Sequence, residues 1–552
     1  MKLFSKTLCA LCLAAVGSGS FANTTPAPKL TALVGATLID GRGNPALENH
    51  TLLIEGELIK AVFPSGKGKI PRQATVVDLE GKYLLPGLID SHVHLATDPE
   101  QGEDVEDVIP KLGKYLRGGV TAVRDMGGDS RVLSYLARQA LIDNIDSPDI
   151  YYSAIIGGPQ FFEDPRTVSS AKGHQAGTVP WMRAVTKETD LAKVLAQARG
   201  SGATGIKIYR HVPAELILPL KKEADRQGLM TWAHLDVEPA PPQAIAEAQV
   251  TAASHAAYFL GRAREVQQRW KEEVLYDSKS AATSETIQLI NTLAKNAVIL
   301  DATLVIFDRG TRETDEPYYV NAHRAGVDFT REAYKAGVRI AAGTDQGITK
   351  QYPDPSIHDE LQLLVEKAGL SHLDAIAAAT SHGAALLGKE TEFGAIAGGL
   401  KANLLVLNSN PLEDISNTRD IAHVVKNGKF IYRGFEGMGL PFSDARILGH
   451  QLLMSGQIGN IPGTLTLVKG GIAAETEQVL QNIESVLRRH GLDRNDVRKC
   501  TVMLADIDEW SEANKVYARY FSDEPKPSRS AFAGSGLALG ARIEMECIAA
   551  LH

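Results

Sequence analysis

The sequence predicts an α/β chain whose main body is a (β/α)8 TIM barrel, flanked by a small β-sandwich and followed by an α+β domain. Three observations predict it. The chain has 552 residues, more than one ordinary hydrophobic core holds, so several domains are expected. Residues 85–393 alternate strand-like and helical segments, as a parallel barrel requires. Residues 29–84 and 394–434, on either side, are short strands between Gly-rich turns.

The barrel strands are read in chain order as LLPGLID, VTAVRDMG, DIYYSAIIGG, GATGIKIY, GLMTWAH, QVTAASH, AVILDATLVI and GVRIAAGTD. Amphipathic stretches such as ETDLAKVLAQARG and PAELILPLKKEADRQG separate most of them, each ending in a Gly stop signal. A doubly wound open sheet is the structural alternative. In the flanks, LVGATLIDGRG, LLIEGELIKAV and ATVVDLEGKYLLPG are matched by NLLVLNSNP and VVKNGKFIYRG, so one sandwich is expected from both ends. After Arg433 a Gly-rich joint, GFEGMGLP, opens a domain over about residues 441–552 with two long helical stretches.

The first residues read as a signal peptide spanning 1–22. Lys2 and Lys6 precede an apolar run from Leu8 to Val16 and a small-residue end at Ser20-Phe21-Ala22. The run is far shorter than the ~20 residues that span a bilayer. Cleavage is expected over retention as an anchor, so the chain is expected to be exported, periplasmic or secreted, with no stable membrane insertion. Net charge is −8 and no basic run marks a nucleic-acid face. Cys9 and Cys12 lie in the leader; Cys500 and Cys547 are expected as two buried thiols, with a disulfide as the alternative.

Ligand-type residues fall at strand ends. His92 and His94 close the first strand, Lys207 lies in the fourth, His234 ends the fifth, His255 the sixth and Asp345 the eighth. In a barrel these positions share the rim where active sites are built. Two His at i and i+2 reach one ion only where the strand bends or ends. Imidazole and carboxylate without thiolate favour Zn or another borderline divalent ion.

Through PGLIDSHVH, GVTAVRDMGG, GIKIY, TWAH, ASHA, AAGTD and NPL, residues 29–434 resemble the amidohydrolase superfamily, near its imidazolonepropionase-like and prolidase-like members. The resemblance implies two divalent ions, Zn foremost. His92, His94 and Asp345 would hold the first, and His234 and His255 the second. Lys207 would be N-carboxylated and bridge them; a lysine merely paired with Asp345 would leave a mononuclear site. Such ions activate water near neutral pH, and Asp345 would pass its proton to the leaving nitrogen. The implied reaction is hydrolysis of an amide, dipeptide or cyclic amide, a small-molecule substrate.

Substrate contacts are expected from Tyr209 and Arg210 on the rim, Arg210 as a carboxylate binder or merely a surface residue. The insert at residues 157–183 offers His174 and Trp181, and His358 with Glu360 opens the helix after the eighth strand. Leu235-Asp236 stands where many such relatives carry another His, and Ala402-Asn403 where they often read Ala-Asp.

Residues 441–552 resemble the RidA/YjgF reactive-intermediate deaminases (chorismate mutase-like fold) through LPFSDA, LLMSGQIG, VYARYF, PSRSAF and RIEMECIA. That resemblance implies a trimer hydrolysing enamines or imines, with Arg529 binding substrate carboxylate and Glu544 placing water. Phe442 and Ala531 replace a Tyr and a Cys common in active members, so a purely trimerising role is the alternative. Two rival readings of the whole chain are an imine deaminase with a degenerate barrel and a non-catalytic exported scaffold.

Overall fold

The computed structural model describes residues 29–96, 105–260, 269–349, 351–431, 441–462, 465–490 and 492–551. The expected signal peptide and most of the Gly-rich joint lie outside the described residues. Among these residues no helix is long and apolar enough to cross a membrane.

The eight expected barrel strands form Leu88–Val93, Val120–Asp125, Asp149–Gly157, Gly205–Ile208, Met230–His234, Ala252–Ser254, Ile299–Asp301 and Ile340–Ala341. They pair parallel in chain order. The first and last meet through Ser91 N–H to the Ala342 carbonyl at 3.0 Å and Asp345 N–H to the His92 carbonyl at 2.8 Å. The seventh strand is shorter than AVILDATLVI suggests, because Thr303 takes a left-handed φ of 50° and turns the chain into the helix Leu304–Glu313.

Side-chain alternation sorts the barrel interior into layers. Ile89, Ala122, Trp232, Ala252, Ile299 and Ala341 form one apolar cluster with Leu386 and Phe393. Trp232 Nε1 donates to the Leu386 carbonyl at 3.0 Å, which ties that floor to the helix Ser381–Leu386. Gly205 must lack a side chain here, since a Cβ would lie 2.6 Å from the Trp232 ring. Two residues further along the same strands come Ser91, Arg124, Lys207, His234, Ser254 and Asp301. The floor therefore dictates which residues meet above it.

Strands from both flanks share one eight-stranded sheet. Leu404–Leu407 pairs antiparallel with Tyr83–Pro86, and Leu30–Leu38 lies between Tyr83–Pro86 and Leu47–Glu55. The C-terminal domain is a six-stranded sheet covered by the helices Gly471–Arg489 and Trp510–Tyr520. Cys500 and Cys547 face each other across its two central antiparallel strands and form a disulfide, which corrects the expectation of two free thiols. Direct opposition in register supplies the short approach that sequence separation concealed.

A cleft of about 410 Å³ lies between this domain, the flanking sheet and the barrel, lined by Gln478 and Arg488, by Val77 and Phe430, and by Leu116 and Asp146 respectively. Burial pushes the Asp146 carboxyl up, against the pull of Arg117, Arg488, Arg489 and Lys426. Asp146 and Ser147 immediately precede the third barrel strand, so the domain docks at the end where strands begin.

Replacing Cys500 and Cys547 together by Ala removes a cross-link between residues 47 apart in sequence. Loop-closure entropy puts the expected loss near 4 kcal/mol. Denaturant unfolding monitored by proteolysis within residues 441–551 should show the domain opening earlier, with the barrel transition unmoved.

Candidate active site

The upper interior layer and the strand ends bring the predicted ligand residues together. The first strand loses regular register between Asp90 and Val93, the bend that lets His92 and His94 turn toward one point. Asp345 and His255 both hold left-handed backbone, with φ of 51° and 69°. Non-Gly residues rarely adopt it, and here it swings both side chains inward from strand ends. His94 Nε2 lies 3.0 Å and His92 Nε2 3.6 Å from Asp345 Oδ1, and His255 Nδ1 lies 3.9 Å from Asp345 Oδ2. The His255 ring stands 4.8 Å from that of His92 and 4.5 Å from that of His234. Lys207 Nζ sits 4.3 Å from the centre of the Tyr209 ring, which in turn lies 4.2 Å from His234. His94, Lys207, Tyr209, Arg210, His234, His255 and Asp345 line one cavity of about 260 Å³. His92 is wholly buried.

Beneath this ring sits Asp301, which sequence reading did not single out. One of its oxygens, Oδ2, accepts from His92 Nδ1 at 2.8 Å, Arg124 Nη2 at 2.8 Å and Ser254 Oγ at 2.7 Å. Burial raises the Asp301 carboxyl, and Arg124 and the Ser254 hydroxyl oppose that rise. The same burial lowers the Arg124 guanidinium to about 10. Asp90, raised by burial to about 7, accepts from Thr344 Oγ1 at 2.8 Å and so pins the eighth-strand end to the first strand. Thr303 spends its hydroxyl on His255 Nδ1 at 2.8 Å instead of capping its own helix. Glu360 supplies that cap, accepting from Leu304 and Val305 N–H at 3.0 and 2.8 Å. Glu360 and His358, the latter bonded to Thr418 and Gly118, are thus structural.

His92, His94 and Asp345 offer ligand atoms all within 4.8 Å of one another. The residues fit a divalent ion on one further observation. His92 commits its Nδ1 proton to Asp301, while its buried Nε2 has no hydrogen-bond partner. Burial holds the ring well below the usual imidazole range, so the lone pair stays available. Burial would raise Asp345, but His92, His94 and His255 outweigh it and hold the carboxyl well below its ordinary range.

The insert contributes residues other than those expected. His174 is exposed, and Trp181 is buried beneath the Arg131 guanidinium at 4.6 Å. Phe161 and Arg166 line the cavity instead, with Tyr258 from the sixth-strand loop. Arg210 lies on the rim with its Nη2 3.7 Å from Glu238.

In the C-terminal domain, Arg529 is held between the rings of Trp510 and Tyr517, each 4.6 Å away, and donates from Nη1 to Asn514 Oδ1 at 2.8 Å. Glu544 abuts Gly456, and burial and then Glu546 raise its carboxyl. Arg529 is paired with Cys500 and Glu544 with Met503, on opposite sides of the strand Val497–Leu504. Among the described residues no contact joins them within one chain. Phe442 is exposed.

Residues 83–431 match the Amidohydrolase family, and residues 438–551 match the Endoribonuclease L-PSP family. A candidate prolidase from Bifidobacterium longum superposes with a TM-score of 0.56 at 25% identity, covering 74% of this chain and 95% of that one. The C-terminal part is 39% identical over 109 residues to the 2-iminobutanoate/2-iminopropanoate deaminase of Homo sapiens, 20% of this chain and 79% of that protein. It is 40% identical over 111 residues to the chloroplastic Reactive Intermediate Deaminase A of Arabidopsis thaliana, again 20% of this chain but only 59% of the relative.

Asp301→Ala strands the Arg124 guanidinium in the barrel interior, and the expected cost is about 3–5 kcal/mol in denaturant unfolding. Adding Arg124→Leu should recover part of it, since the uncompensated charge goes too.

Proposed function

The chain belongs to the amidohydrolase family and carries a C-terminal domain of the endoribonuclease L-PSP (RidA) family; from this we propose an exported, divalent-metal-dependent hydrolase of small amides. The observation that carries the reading is the His92–His94–Asp345 group, with a buried His92 Nε2 that has no hydrogen-bond partner, beside a cavity that also holds Lys207, His234 and His255. Neutral imidazoles and a carboxylate suit Zn. Two ions are proposed; a carboxylated Lys207 would help hold them, since an ammonium there would repel both.

When bound, the ions supply Lewis-acid polarisation of the scissile carbonyl and activation of water. The chain's own groups do the rest. Asp345 would accept the proton of the attacking water and deliver it to the leaving nitrogen. Asp301 holds His92 in one tautomer through the cycle. Tyr209 and Arg210 border the space left for substrate. The likeness to a candidate prolidase supports a dipeptide or acylated amino acid as the amide.

For the C-terminal domain we propose imine or enamine hydrolysis, with Arg529 binding carboxylate, in a trimer whose neighbouring copies complete each site. The placement of Arg529 and Glu544 on opposite sides of the strand Val497–Leu504 supports that arrangement. Export is supported by the leader and by a disulfide in the C-terminal core.

Elemental analysis of the full chain tests the metal reading. Two divalent ions per chain are expected, falling sharply in Lys207→Ala together with dipeptide hydrolysis. One ion untouched by Lys207→Ala would remove the bridge, and none would remove the hydrolase reading.

A further inference from the structure

The insert after the third barrel strand is a built element. Residues Pro159–Glu163 and Pro165–Ser170 are helical, and Thr178–Val179 pairs with Met182–Ala184, which extends the barrel sheet beside Ile155–Gly157. It carries its own core of Phe161, Phe162, Ala171, Val179, Trp181 and Met182 against Ile155. Ile155 N–H donates to the Trp181 carbonyl at 2.7 Å, and the Arg131 guanidinium covers the Trp181 ring. From this fixed platform only Phe161 and Arg166 reach the cavity.

Both are held in place. The Phe161 ring stacks on Tyr209 at 4.4 Å, making one apolar wall. Asp164 binds Arg166 Nε at 3.1 Å and Nη2 at 2.8 Å, which occupies one edge of the guanidinium and leaves the Nη1 edge for a ligand. Arg166 is close enough for the Asp345 carboxylate to act on it. Among the described residues the cavity lining holds Arg166, Arg210 and Lys207 and one carboxylate, that of Asp345. If Lys207 and Asp345 are engaged with ions, two guanidinium groups still face the remaining space. A guanidinium held from behind by a carboxylate is preorganised for a second, planar anion.

We infer that Arg166 is the specificity determinant that selects amides bearing a free carboxylate, with the Phe161–Tyr209 wall taking the adjacent apolar side chain. The inference rests on the hydrolase reading for its reaction, but not for its binding. It identifies the substrate class as a dipeptide or N-acyl amino acid with an uncapped carboxyl end. Arg166 contributes charge and geometry to that end and touches no reacting atom.

Calorimetric binding to the full chain after chelator treatment tests it, with N-acetyl-L-phenylalanine and its carboxamide as probes. The acid is expected to bind about 10- to 100-fold tighter than the amide. That ratio should collapse in Arg166→Gln, recover partly in Arg166→Lys, and persist in Lys172→Gln, a change of equal charge in the same insert. Equal affinity for the two probes, no measurable binding of the acid, or a ratio that survives Arg166→Gln would overturn the inference. If the ratio behaves as expected while the Zn-loaded chain cleaves neither glycyl-phenylalanine nor its amide, the selectivity stands and the hydrolase reading falls.

Discussion

The site depends on one buried carboxylate oxygen. Asp301 Oδ2 collects His92, Arg124 and Ser254, residues from the first, second and sixth barrel strands. Each donor is offered in a place without water, where a missing partner costs far more than a surface hydrogen bond contributes. The arrangement therefore has one low-energy state, and that state presents His92 Nε2 upward. Asp90 adds a second tie, from the first strand to Thr344, one residue before Asp345. Ligand geometry at the rim is thus set from below by a polar layer resting on an apolar floor.

The floor explains why this layer lies where it does. Trp232 fills the lower barrel and His234 stands two residues above it on the same strand. Ile299 and Asp301, Ala252 and Ser254, and Gly205 and Lys207 repeat the relation. Strand alternation converts one large hydrophobic residue into a constraint on its neighbour two positions on. Gly343, where a Cβ would lie 2.2 Å from Asp301 Oδ1, shows how tightly that layer is packed.

Much of this was legible in the sequence because strand ends announce themselves. Histidines and an aspartate closing apolar runs marked the rim, and all eight barrel strands overlap the segments read as strands, though LLPGLID is shared between two sheets and the seventh strand stops at Asp301. Asp301 was not legible: it sits inside an apolar run, and its partners are 47, 177 and 209 residues away. Arg166 was hidden for a different reason. The insert has no periodicity, so nothing in its sequence distinguishes Arg166 and Phe161, which reach the cavity, from His174 and Trp181, which do not. The disulfide was missed because register, not spacing, opposes Cys500 to Cys547.

The placement of the C-terminal domain bears on whether the two domains could act on one compound. The cavity opens where barrel strands end, beside His94, Arg210 and Asp345. The domain docks where they begin, against Leu116, Asp146 and Ser147. The apolar barrel floor of Trp232, Leu386 and Phe393 lies between those two ends. Within one chain the cavity and the docked domain thus lie at opposite ends of the barrel strands. Joint use of the two domains within one chain would need the intermediate to travel the length of the barrel. The physical consequence of fusing them is a fixed stoichiometry: wherever the barrel goes, one L-PSP-family domain goes with it.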